Sequence, residues 1–313
     1  EFKLTDELYI KMNSRGRPLT AFENFKALFS GLLAQKPTDY HNDLLKYQNR
    51  PVSYQQYFAF NVDGSWMDLM WQYSVMHKLK VDDCFLNLIY YIAEFLYFKS
   101  NPNVNSEEVK RDYDLLISVF STKKNVDFLF GFLDILCKIG DVNSFFTALW
   151  KGLSTFDEYG NDYFLRCIKN ENFEVKDKSL LYSIISYCAT HNLTEPDNEL
   201  KDFVRIVRNL LLTVRQPNPN KRIEYGFRLR LTDVSNYCLF IDQLLKLSLD
   251  GKNKSVYELF ANNEFTGFGK ENISHERDKA KIISSNTTIK SSIHQLEEHP
   301  EIQGNTSSFD LKD

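Results

Sequence analysis

From Pro37 to Ser285, apolar side chains recur at helical spacing with few interruptions. Only 12 glycines and 8 prolines punctuate 313 residues, while 25 Phe and 17 Tyr supply bulk. Few breakers and many large apolar groups favour long packed helices over a turn-rich sandwich. At 43% hydrophobic residues the chain can bury a core sufficient for one large or two ordinary domains.

The periodicity predicts helices over Trp66–Leu79, Asp83–Lys99, Ser106–Ser121, Asn125–Ile139, Ser144–Leu153 and Lys178–His191. It predicts more over Asn198–Arg215, Val234–Leu249, Ser255–Asn262 and Ser274–Ser284. Pro-containing stops at Asn101-Pro102-Asn103, Glu195-Pro196-Asp197 and Pro217-Asn218-Pro219 separate several of them. No fixed repeat length emerges, so the expectation is a large helical bundle or irregular array. After Ser285 the chain turns polar, which predicts a frayed end or a surface covered by further sequence.

The first residues differ. Leu8, Ile10 and Met12 alternate with polar neighbours and predict a short strand. Asn13-Ser14-Arg15-Gly16 then predicts a tight turn, in which Gly16 can take positive φ. Thr20-Ala21-Phe22-Glu23 fits a capping box, and Phe22, Phe25, Phe29, Leu32 and Leu33 follow on one helical face. Glu1 opens the chain inside a hydrophobic pattern, as in a segment of a longer protein.

A net charge of −4 excludes a globally basic nucleic-acid binder but not a local basic patch. Five dispersed cysteines without a CxxC predict reduced, mostly buried thiols in a cytoplasmic protein. No signal peptide is evident, and the longest uncharged apolar run, from Cys84 to Ala93, is too short to span a bilayer. No membrane partner is expected.

Two places invite a binding role. Around Asn13, Arg15 and Gly16, a glycine-bearing turn at a helix entrance offers backbone N–H groups to a phosphate, with Arg15 and Arg17 beside them. The same residues also read as a polar turn with solvated arginines, and no GK[ST] ending makes this a P-loop. Farther on, Lys201, Arg205, Arg208 and Arg215 fall within roughly 80° of one helical face. Residues 201–230 hold eight basic and two acidic side chains, against a negative whole. That stripe reads as a phosphate-backbone contact, or as a solvated face, or as arginines paired with acidic neighbours. No His/Cys pair has zinc spacing, and no GxSxG, Walker A or kinase signature occurs, so no catalytic or metal residue is assigned.

Four stretches, YIKMNSRGRPLT, LKDFVRIVRNLL, HERDKAKII and LEEHPEIQG, occur in order. Together they resemble the bacterial ParB-like family typified by the N-terminal domain of the GmrSD modification-dependent restriction enzyme. Asn13, Arg15, Gly16 and Leu19 match its N-x-R-G-x-x-L turn, and Arg205, Arg208, Asn209 and Leu210 match its R-x-x-R-N-L segment. The resemblance implies that residues 1–35 are the strand-turn-helix remnant of a ParB-like α+β nucleotide-binding core. It implies an NTP cofactor at Asn13, Arg15 and Gly16, and a DGQQR motif ahead of Glu1. Residues 36–285 would be a helical domain contacting DNA or a partner, and 286–313 a polar end leading to a nuclease domain or subunit. The function implied is restriction-type anti-phage defence, with this chain catalytically incomplete; the alternative is a non-enzymatic helical interaction scaffold.

Overall fold

The computed structural model describes residues 18–35, 44–102, 104, 109–156, 160, 162–217, 225–227, 229–251 and 254–306. The strand expected at 8–12 and the turn at 13–17 lie outside them. The described chain is mainly α, with two small antiparallel hairpins.

Helix α1 (Ala21–Gln35) starts at the expected capping box: Glu23 N donates to Thr20 Oγ1 at 3.1 Å, and Thr20 N donates to Glu23 Oε2 at 2.7 Å. Strands β1 (Leu45–Tyr47) and β2 (Arg50–Val52) follow, joined by Gln48 and Asn49 at φ 48° and 64°. Next come α2 (Tyr54–Val62), α3 (Ser65–His77), α4 (Val81–Ser100), α5 (Tyr113–Phe120), α6 (Lys123–Ile139) and α7 (Val142–Leu149). Helices α8 (Tyr163–Lys169), α9 (Val175–His191) and α10 (Asn198–Thr213) lead to the second hairpin, β3 (Arg215–Pro217) with β4 (Tyr225–Phe227). The chain then forms α11 (Val234–Asp250), α12 (Val256–Ala261), α13 (Lys270–Ser285) and α14 (Lys290–Glu297).

Helix α4 is apolar on nearly every side, and a helix of that kind must be enclosed. Here α1, α3, α5, α6, α8 and α11 surround it. Its charge at the core, Glu94, is matched by Lys178 of α9 and by Arg111 Nη2 at 3.0 Å. Burial alone would raise the Glu94 pKa, but these two cations reverse the effect and hold it below the ordinary value. Helix α9 is equally enclosed and meets α4 where Phe95 stacks on Tyr182, with ring centres 4.8 Å apart. Four of the five cysteines are buried, and burial raises the thiol pKa of all five.

The sequence division at residue 35 does not part the core. Phe22 of α1 packs on Phe85 at 5.3 Å, and Phe29 packs on Phe58 at 4.8 Å and Phe120 at 5.4 Å. Burying each such ring stabilises by roughly 1.5–3 kcal/mol, so α1 is held to the helical body by a substantial term. The C-terminal expectation also needs correction. Residues 287–306, within the stretch read as a frayed end or a covered surface, form a 3-10 turn, α14 and a closing loop, with Ile293, Glu297 and Thr306 buried. Several of their polar groups meet partners across the fold: Lys290, His294, Glu297, Glu298 and Thr306 bond Asp202, Tyr257, Arg205, Ser154 and His275 in turn. No described helix is long and apolar enough to cross a membrane.

Candidate functional site

Three sequence segments far apart in the chain meet at the inner face of α10. Its N-cap Asp197 accepts from Leu200 N at 2.7 Å, and its apolar residues Phe203, Val207, Leu210 and Leu211 are buried. The basic side opposite them is buried too. Arg205 is 5% exposed and Arg208 1%.

Arg205 Nη1 pairs with Glu297 Oε2 at 3.1 Å and with Glu298, while its Nη2 donates to Gly152 O at 2.8 Å. Arg208 Nη1 donates to Glu298 Oε1 at 2.7 Å and to Ser154 O at 2.9 Å. Its Nε and Nη2 donate to Asn209 Oδ1, at 3.1 and 2.8 Å. Asn209 Nδ2 in turn donates to Glu297 Oε1 at 2.8 Å and Glu276 Oε1 at 3.3 Å. Lys279, one turn along α13 from Glu276, bonds Glu276 Oε2 at 2.6 Å and also Glu297. Three cations thus face three carboxylates in a closed set.

Desolvation of such groups is costly unless every charge is paired and hydrogen-bonded, as here. Burial lowers the Arg208 pKa, with Glu298 opposing. Burial would raise Glu297, but Lys279, Arg205 and Arg208 outweigh it and keep that carboxyl ionised; burial, with Glu297 adding and Lys279 opposing, holds Glu276 above its ordinary value. With its donors and acceptors engaged internally, the cluster clamps α10, α13, α14 and the 151–154 turn together.

Beside the clamp opens a cleft of ≈ 470 Å³ between α10, α14 and the 151–153 turn. Asn198, Lys201, Asp202 and Arg205 of α10 line one wall, and Thr287, Lys290, Ser291 and His294 line the other. Asp202 is paired with Lys290, and its Oδ1 lies 3.9 Å from His294 Nε2. Desolvation pushes the Asp202 carboxyl up to about 6 despite Lys290. Burial, with Arg205 beside it, pushes His294 down to about 3, so its imidazole is neutral at pH 7; its Nε2 shares a 2.9 Å hydrogen bond with Tyr257 OH.

The residues singled out from sequence therefore separate. Asn13, Arg15 and Gly16 lie outside the described residues. Lys201 does reach the surface, on the cleft wall. Of the three readings open for the basic stripe, Arg205 and Arg208 follow the last: they are enclosed and paired with acidic residues. Arg215 does not belong to the same helix, because α10 ends at Thr213 and Arg215 enters β3. Sequence reasoning missed Asp202, Glu276, Lys279, Glu297 and Glu298 as partners. Three separate stretches supply the cluster: Arg205, Arg208 and Asn209 from one, Glu276 and Lys279 from the second, Glu297 and Glu298 from the third. Among the described residues, no group of three or more His, Cys, Asp or Glu side chains is placed to hold a metal ion.

Comparison with protein-family models, curated proteins and solved structures gave no match to this chain.

Proposed function

We propose that this chain is the helical support of a nucleotide-dependent, restriction-type bacterial defence protein, working in the cytoplasm with DNA or a nuclease subunit as its partner. The observation that carries the reading is the anchoring of α1. The helix that follows the Asn13-Ser14-Arg15-Gly16 segment is fixed to the body by Phe22, Phe25, Phe29 and Leu33, and Tyr113 OH donates to Ala21 O at 3.0 Å. A phosphate-binding turn needs its donors held in place, and a helix seated this firmly supplies a rigid base. The buried charges of the clamp are mutually neutralised, which suits support rather than chemistry.

Nucleotide titration of the chain tests this. Asn13→Ala and Arg15→Ala should each weaken ATP or GTP binding about ten- to a hundredfold, the effect of losing a charge-assisted contact, with unchanged melting temperature. The chain itself should release no phosphate and cut no plasmid DNA in magnesium. Normal nucleotide binding by both variants, together with early melting, would make the turn structural.

A second reading, a non-enzymatic interaction scaffold, is favoured by one feature: Trp71 and Val75 stand 58% and 64% exposed one turn apart on α3. Alanine at both positions should abolish capture of a partner protein under that reading and leave nucleotide affinity unchanged.

A further inference from the structure

The cleft beside the clamp has a charge imbalance that the clamp lacks. Of its cationic lining residues, Arg205 is neutralised by Glu297 and Glu298, and Lys290 by Asp202. Lys151 and Lys201 also line it, and among the described residues neither has an acidic partner. Asp202 is the one carboxylate in the lining, and it is already matched. Two uncompensated ammonium groups thus border a concave space rather than a convex surface, where low-dielectric walls concentrate their field.

The neutral donors agree with this sign. Asn198, Thr287 and Ser291 can each offer a hydrogen to an oxygen in the cleft. The first residues of α14 line it as well, and their N-cap, Ile289, provides no side-chain acceptor. A volume of ≈ 470 Å³ falls within the ordinary range for small-ligand sites and admits a nucleotide-sized molecule, but not a duplex.

We propose that this cleft binds a small phosphorylated ligand of nucleotide size, with Lys151 and Lys201 pairing its phosphate oxygens and Asn198 and Ser291 completing the donor set. The clamp acts as positioning structure: Arg205 Nη2 holds Gly152 O and Glu298 Oε2 accepts from Ser154 N at 2.7 Å, fixing the turn that carries Lys151 against α10. This site is separate from the N-terminal turn and does not depend on the reading given for it.

Isothermal titration of the full chain with pyrophosphate, ADP and a short DNA duplex tests the proposal, in wild type and in Arg15→Ala so that binding at the N-terminal turn is told apart. Pyrophosphate and ADP should bind saturably in both backgrounds, and more weakly as salt rises. Lys151→Ala and Lys201→Ala should each reduce affinity roughly tenfold to a hundredfold, while Lys201→Arg retains it. Melting temperatures establish that each variant is folded; Lys151 is exposed, so that variant keeps the test decisive if Lys201→Ala were to unfold. Absence of saturable binding, binding indifferent to both lysines, or lysine-dependent binding of duplex DNA alone would each overturn it.

Discussion

Gly304 stands so close to Asn209 that a Cβ on it would lie 2.4 Å from Asn209 Oδ1. Its φ of +78° already belongs to the region L side chains rarely adopt, and its N–H donates to Glu297 O at 2.9 Å. The loop after α14 therefore closes against the clamp with its backbone, and a side chain at this point meets both a steric and a conformational penalty. Gly304→Ala should destabilise the fold by about 2–4 kcal/mol, combining left-handed strain with overpacking. Urea unfolding measures this, and a wild-type midpoint would show that the loop can move aside.

Lys279 and Lys281 lie two residues apart on α13, yet they should respond to substitution very differently. Lys279 is fully enclosed between Glu276 and Glu297, whereas the Lys281–Asp278 pair is exposed on both sides. Lys279→Met leaves Glu276 buried without a cation, strips one of the cations from Glu297, and should cost about 3–5 kcal/mol. Lys281→Ala removes a screened surface pair and should change stability by less than about 0.5 kcal/mol. Similar unfolding midpoints for the two variants would mean that the cluster is hydrated or rearranges freely.

The cleft pair makes stability depend on pH in two opposed ways. Unfolded Asp202 loses its proton near 3.8, but burial makes the folded group keep it to about 6, so raising the pH across that window costs stability. Unfolded His294 gains its proton near 6.5 and folded His294 only at about 3, so raising the pH from 3 to 6.5 adds stability. Each slope is at most about 1.4 kcal/mol per pH unit, and the two oppose one another between about pH 4 and 6. Relative to wild type, Asp202→Asn should become more stable with rising pH in this window, and His294→Gln less so. Urea titrations at three pH values resolve the slopes; displacement of both in one direction would contradict this assignment.

How much of this was legible follows from where the partners lie in sequence. The α1 capping box and the apolar face of α10 are local patterns, and both hold. The box at Ser53 and Gln56 is just as local, but α2 is only nine residues long and its buried face includes the polar Asn61, which blurs the apolar pattern. The first hairpin was hidden for a different reason: its left-handed turn uses Gln48-Asn49, without the glycine that usually announces one. For the clamp, a helical wheel places Arg205 and Arg208 on one face but says nothing about what covers that face. Their carboxylate partners come 92 and 90 residues later, from a segment whose polar composition suggests solvent. Burial of that face is a tertiary fact, carried by charge matching rather than by hydrophobicity.

Lys201 and Arg208, on the same helix, separate charge from stability in the last prediction. Arg208→Glu would place a fourth carboxylate beside Glu298 and Asn209 in a space that is 1% exposed, leaving Glu298 without one cation and Ser154 O without its donor. Its cost should be at least about 4 kcal/mol, a large share of the stability of an ordinary domain. Lys201→Glu changes a side chain on the cleft wall with no described partner and should move the unfolding midpoint little. Any DNA affinity lost in Arg208→Glu should therefore track the unfolded fraction and be regained when the fold is restored by lower temperature or osmolyte. Pyrophosphate affinity lost in Lys201→Glu should instead persist in fully folded protein, because only the charge on the cleft wall has changed. Melting curves paired with DNA titrations of the first variant and pyrophosphate titrations of the second distinguish the two. An Arg208→Glu variant that stays folded at wild-type midpoint while losing DNA binding would return Arg208 to the surface and undo the clamp.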